Sequence, residues 1–383
     1  MTTGIKSTRV LFPDGVAEGY VILEGDKIVY AGKEAKPCDT LLDMGDRYVS
    51  PGFIDIHTHG GGGHAFIKST PEEAVEACTF HMGHGTTTIS PTLSTAPIEE
   101  MCKAVRTLSK VVGSTDVAPN IVGVHLEGPY LSEKQCGAQR PGMITPPIAE
   151  DYVPLVEEWG KYISRWSYAP ENDKDQAFCK LLTKHGIIAA VAHSDARYEE
   201  LLPAIEQGCN LVTHLYSCTS TVTREFGYRH LGVIETAFLR PDMDVEIIAD
   251  GKHLPPELIQ MIVRIKGKEH VAMVTDSMPA AGLGGAKGNI EGAHNYIVED
   301  GVCKLPDRSA FAGSIATTDR LVRVAVKECG MSVSDAVYMM TETPARILNV
   351  KKGRLAEGYD GDIVVFDDDI NVSAVFTRGV QRI

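Results

Sequence analysis

The spacing of apolar positions changes character twice along the chain. Near the start, the run 9–12 and the run 20–32 are β-branched and surround a Gly25-Asp26 turn, which predicts a hairpin. The segments 361–367 and 372–377 near the other end are equally short, β-branched and turn-bounded. Between them, strand-like apolar runs at 53–57, 86–93, 121–127, 163–171, 187–193, 210–216, 245–250 and 271–276 alternate with helical patterns such as 72–82, 97–112, 175–185 and 198–208. Eight strand-then-helix units over roughly 290 residues predict a (β/α)8 TIM-like barrel. The two β-rich ends then form a small β-sandwich domain, with 1–49 plus 348–383 as the sandwich and 50–347 as the barrel. A doubly wound sheet is the competing fold. No GxGxxG or GxxxxGK[ST] phosphate loop follows the first strand, and the run Gly60-Gly61-Gly62-Gly63 follows a histidine pair instead.

Charge narrows the partners. With Lys+Arg 37 against Asp+Glu 51, the formal charge is −14, and no basic run offers a footprint for nucleic acid. An anionic ligand must therefore be met by a few local cations. The hydrophobic fraction of 43% and charged fraction of 23% are those of a folded globular chain. Nine dispersed cysteines without a CxxC pair, and an N-terminus without an apolar leader, predict a cytoplasmic protein with reduced thiols. No apolar run approaches the roughly 20 residues of a membrane span.

Candidate chemistry gathers at the predicted strand ends. The first ends in Asp55-Ile56-His57-Thr58-His59, the third in His125-Leu126-Glu127, the fifth in His193 and the sixth in His214. The seventh ends in Asp250-Gly251-Lys252-His253 and the eighth in Asp276. In a barrel these ends share one face, and residues two apart in a strand point the same way. His57, His59, Glu127, His193, His214 and Asp276 thus form a donor set suited to Zn, Fe, Mn or Co rather than Mg or Ca. A lone strand-end histidine is more often a satisfied polar group, and HxH alone is a weak motif. Coincidence at four strand ends favours metal ligation. Asp276 could cap a following helix, but its place at the last strand end favours proton transfer. A bound divalent ion brings the pKa of its water to about 7, so the set points to hydrolysis of a C–N or similar bond. His81 and His84, on a predicted helix far from any strand end, are read as structural, as are His185 and His270.

The blocks from Val49 to His59 and from Gly353 to Ile363 resemble the amidohydrolase superfamily. Within it, His125-Leu126-Glu127-Gly128-Pro129, Thr213-His214-Leu215-Tyr216, Ala249-Asp250-Gly251-Lys252-His253 and Thr275-Asp276 resemble the N-acetylglucosamine-6-phosphate deacetylase family, essentially end to end. The resemblance implies that Glu127, His193 and His214 hold a principal metal. It also implies that His57 and His59 allow a second, giving one or two ions per subunit, and that Asp276 is the general acid/base. Pro170-Glu171 stands where carboxylated-lysine relatives carry lysine. The implied reaction is hydrolysis of the acetamide of an amino-sugar phosphate to acetate and the free amine, in a homodimer.

On the sugar side the match loosens. Gly137-Ala138 matches a substrate-contacting block that continues with histidine in the family, where this chain has Gln139. Ser217-Cys218-Thr219 replace Asn-Ala-Met. Arg224 matches the family's phosphate-binding arginine, which can serve the neighbouring subunit; Arg229, in the inserted Tyr228-Arg229-His230, is a rival. His253 and the segment Phe311-Ala312-Gly313-Ser314 match substrate contacts, and His64 is read as a solvated loop residue. The open alternatives are the galactosamine isomer as substrate, another N-acyl substrate, or a non-catalytic sugar-phosphate binder.

Overall fold

A computed structural model of the chain describes residues 1–284, 289–291 and 295–383. At its centre are eight parallel strands in consecutive order. They are Phe53–Thr58, Thr86–Leu93, Val124–Glu127, Ile163–Tyr168, Ile188–Val191, Leu211–Val212, Asp244–Ile248 and Val271–Val274. A bridge between Thr58 and Ser277 joins the eighth strand to the first. Asp55 strengthens that seam by accepting a 2.6 Å hydrogen bond from the Thr275 hydroxyl. The predicted barrel is therefore the fold.

Departures from the predicted strands are local. The run 121–127 is divided, because Asn120–Ile121 pairs with the second strand and Val124–Glu127 continues in the barrel. Gly123 separates the two at φ 157°, where a Cβ would lie 2.7 Å from the Ser164 Cβ. The run 163–171 stops at Tyr168 and gives way to a 3-10 turn, Pro170–Asn172. Helices fill the crossovers as the apolar period predicts. Ile98–Leu108 buries Met101, Ala104, Val105 and Leu108 along one face. Pro71–Met82 starts at a capping box, with the Thr70 hydroxyl accepting from the Glu73 amide and the Glu73 carboxylate accepting from the Thr70 amide.

Strands from both ends of the chain share a second, mixed sheet. Thr2–Phe12 pairs antiparallel with Gly15–Glu24 and bends at an irregularity between Ser7 and Val10. Its halves consequently take different parallel partners, Thr40–Asp43 and Tyr48–Pro51. Tyr48–Pro51 then pairs with Ile363–Phe366, which pairs with Val372–Thr377. Ile5, Val21, Leu23, Ile28, Val49, Ile363, Val365 and Phe376 form their common core. Among the described residues, no helix is long and apolar enough to cross a membrane.

Candidate active site

The barrel brings the strand-end residues together around one carboxylate. Glu127 Oε1 lies 2.8 Å from His214 Nε2, 3.3 Å from His193 Nε2 and 3.7 Å from His57 Nε2. Its Oε2 is 3.3 Å from His59 Nε2. Asp276 Oδ1 approaches His59 Nε2 at 3.1 Å and His57 Nε2 at 3.5 Å. Two buried triplets, His57/Glu127/His214 and His57/His59/Asp276, each bring their ligand atoms within 4.8 Å of one another.

Other groups hold most of these rings with Nε2 facing inward. His59 Nδ1 meets the Ser94 hydroxyl at 2.9 Å, His193 Nδ1 meets the Gln135 carbonyl at 2.8 Å, and His57 Nδ1 meets Glu246 at 3.3 Å. The strand ends break sharply to present them. His193, His214 and Asp276 have left-handed backbones, with φ of 44°, 31° and 48°. Glu171 accepts from the Ser194 hydroxyl and the Asp195 amide, both at 2.7 Å, and fixes the loop that follows His193. None of these supports was read from the sequence. A serine just past the second strand and a lone glutamate in an apolar seventh strand were the available signals.

Charge and donor chemistry suit a divalent cation. Burial would raise the carboxyls, but the facing histidines outweigh it, holding Glu127 well below the usual range and lowering Asp276. Burial likewise opposes protonation of His59, yet Asp276 and Glu127 push it up to about 10. Two buried carboxylates facing a group of ring nitrogens offer a cation both negative charge and lone pairs. The all-N/O donor set fits a borderline metal ion.

Beside this cluster opens a cavity of about 250 Å³, lined by Ala138, Gln139, Ser217, Cys218, His253, Phe311, Ala312 and Gly313 together with His59, Glu127, His193, His214 and Asp276. Gln139 Nε2 donates to Glu127 Oε2 at 2.9 Å. His253 is aimed by Asp250, which accepts from its ring at 3.0 Å and its amide at 2.8 Å. Arg224 does not line this cavity. It lies on an exposed hairpin, Thr223–Glu225 with Tyr228–His230, directly across from Arg229. The expectation that His81 lies far from any strand end is corrected: helix Pro71–Met82 lays its buried ring 2.9 Å from the Gly60 carbonyl, just beyond His59. His64 instead faces Glu76 at 3.1 Å on the surface.

Residues 48–382 match the Amidohydrolase family. The chain belongs to the amidohydrolase family. This amidohydrolase is 33% identical to the N-acetylgalactosamine-6-phosphate deacetylase of Shewanella sp. (strain ANA-3), over 86% of the chain and 81% of that protein. It is 30% identical to the N-acetylglucosamine-6-phosphate deacetylase of Bacillus subtilis, over 98% of the chain and 92% of that protein. The crystal structure of the N-acetyl-D-glucosamine-6-phosphate deacetylase of Mycobacterium smegmatis superposes with a TM-score of 0.92 at 31% identity, covering 100% of both chains.

Proposed function

We propose that this amidohydrolase hydrolyses the acetamide of N-acetylglucosamine-6-phosphate, giving glucosamine-6-phosphate and acetate. The observation that carries this reading is the buried donor cluster with Asp276 at its edge, opening onto a cavity large enough for one sugar. Relatives named for deacetylation of both hexosamine phosphates support it, and the galactosamine isomer is the second reading. Glu127, His193 and His214 would hold the principal ion, and His57 and His59 a second. A divalent ion there lowers the pKa of a water and polarises a carbonyl.

The chain's own residues do the rest. Asp276 takes a proton from the attacking water as its oxygen bonds to the acetyl carbon, then delivers that proton to the sugar nitrogen as the C–N bond breaks. His253, braced by Asp250, presents its other ring nitrogen to the substrate. Gln139 is placed to steady Glu127 beside the acetyl group. Arg224, exposed on its hairpin, would meet the phosphate bound to a second copy, so we read the enzyme as a homodimer. Nine free thiols suit a reducing, cytoplasmic setting.

Acetate release, measured in parallel on the two hexosamine 6-phosphates and on their unphosphorylated forms, tests the reading. Phosphate-dependent turnover is expected, faster on the glucosamine derivative; equal turnover without phosphate would overturn it.

A further inference from the structure

Directly beneath the donor cluster lies a layer of charged and polar groups that no substrate can reach. Glu246, on the seventh strand, and Arg165, on the fourth, are both buried and pair through Oε1 and Nη1. Glu246 turns its second oxygen to His57, with Oε2 3.3 Å from Nδ1. Arg165 in turn donates through Nη2 to His125 Nδ1 at 2.8 Å. His125 also meets the Thr92 hydroxyl at 3.0 Å and the Ser167 hydroxyl at 2.7 Å, and its ring stands edge-on to that of His57 with centroids 4.7 Å apart.

The hydrogen-bond directions in this layer follow from what each group can do. A guanidinium donates only, and a carboxylate paired with it accepts only. His57 Nδ1 must therefore be the donor to Glu246, so in the neutral ring Nε2 is the bare nitrogen, facing Glu127 and Asp276. The carboxylate cannot swing away, because its other oxygen is held by Arg165.

We infer that Glu246, locked by Arg165, is a positioning residue that sets the tautomer and ring plane of His57 and thereby completes the second metal position. This rests on the two-ion reading above. A purely structural ion pair would add to stability but would leave the relative affinity of the two metal positions unchanged.

The test is titration of the metal-free enzyme with chelator-buffered Zn²⁺, counting ions per chain. The parent is expected to bind two ions. In Glu246→Gln, the weaker site should lose about 10–100-fold in affinity while the tighter changes by less than about twofold. The variant Arg165→Met/Glu246→Leu removes both charges together, so it avoids an unpaired buried charge and should show the same selective loss. Unchanged affinity for the second ion in either folded variant overturns the inference. A parent that binds only one ion would instead sink the two-ion reading. The positioning is then judged on the parent itself, by ¹⁵N-histidine spectra of the metal-free protein with His57 assigned through His57→Asn. The proton is expected on Nδ1, and a proton on Nε2 overturns the inference even if neither variant folds.

Discussion

Asp276 faces His59 at 3.1 Å, so Asp276→Asn preserves shape while removing the oxygen proposed to carry the proton. Turnover is expected to fall by about 10²–10⁴-fold with metal content unchanged, read by acetate release and elemental analysis. Near-normal turnover would remove Asp276 from the chemistry. On the proposed two-ion site, His57→Asn should cost one ion and leave the one assigned to Glu127, His193 and His214; loss of both on elemental analysis would mean the sites are not separable. The donors were legible in the sequence because each ends a strand and the barrel gathers strand ends on one face. Their supports were not. Glu246, Arg165 and Ser94 meet their histidines across strands separated in sequence, and no local period encodes such a meeting. The left-handed backbones of His193, His214 and Asp276 were equally hidden, since histidine and aspartate have no intrinsic need of them.

Between residues and fold stand the loops that the helices and strands hold in place. His81, on helix Pro71–Met82, supports the loop beyond His59, and burial pushes its imidazole down to about 4. A histidine depressed in the folded state gives up stability as pH falls, because the unfolded chain takes the proton first. The loss should begin near the ordinary value of 6.5, be complete near 4 and amount to on the order of 3 kcal/mol. Chemical denaturation of the parent and His81→Phe across that range checks this, since the variant should lack that part of the slope. Gly137, at φ 56°, is packed so closely that a Cβ would stand 2.3 Å from Cys218 Sγ. Gly137→Ala should therefore displace Ala138 and Gln139 and raise KM in steady-state assays more than it lowers stability. The strand-and-helix order was read correctly because barrel strands are buried on both faces and read as apolar runs. The division at Gly123 was not, because the close approach to Ser164 is a contact between strands.

At the scale of the whole molecule, the acidic chain leaves the phosphate to a few cations, and Arg224 stands outside its own cavity. If it serves a partner's site, two defective chains should complement each other. Arg224→Ala alone should raise KM for the phosphorylated sugar by about 10–100-fold, the worth of a charged hydrogen bond. Mixing it with Asp276→Asn chains should restore activity, because the site with an intact Asp276 then receives an intact Arg224. No recovery after subunit exchange would assign the phosphate to another group. The sheet shared by the two ends has a consequence of a different kind, in the order of synthesis. Tyr48–Pro51 leads directly into the first barrel strand, yet its partner Ile363–Phe366 is synthesised only after the whole barrel. Until then, the early strands present an unpaired edge, a template for association with other nascent chains. The barrel can begin to assemble during translation, but the sheet beside it can close only after the barrel that separates its two halves has been made.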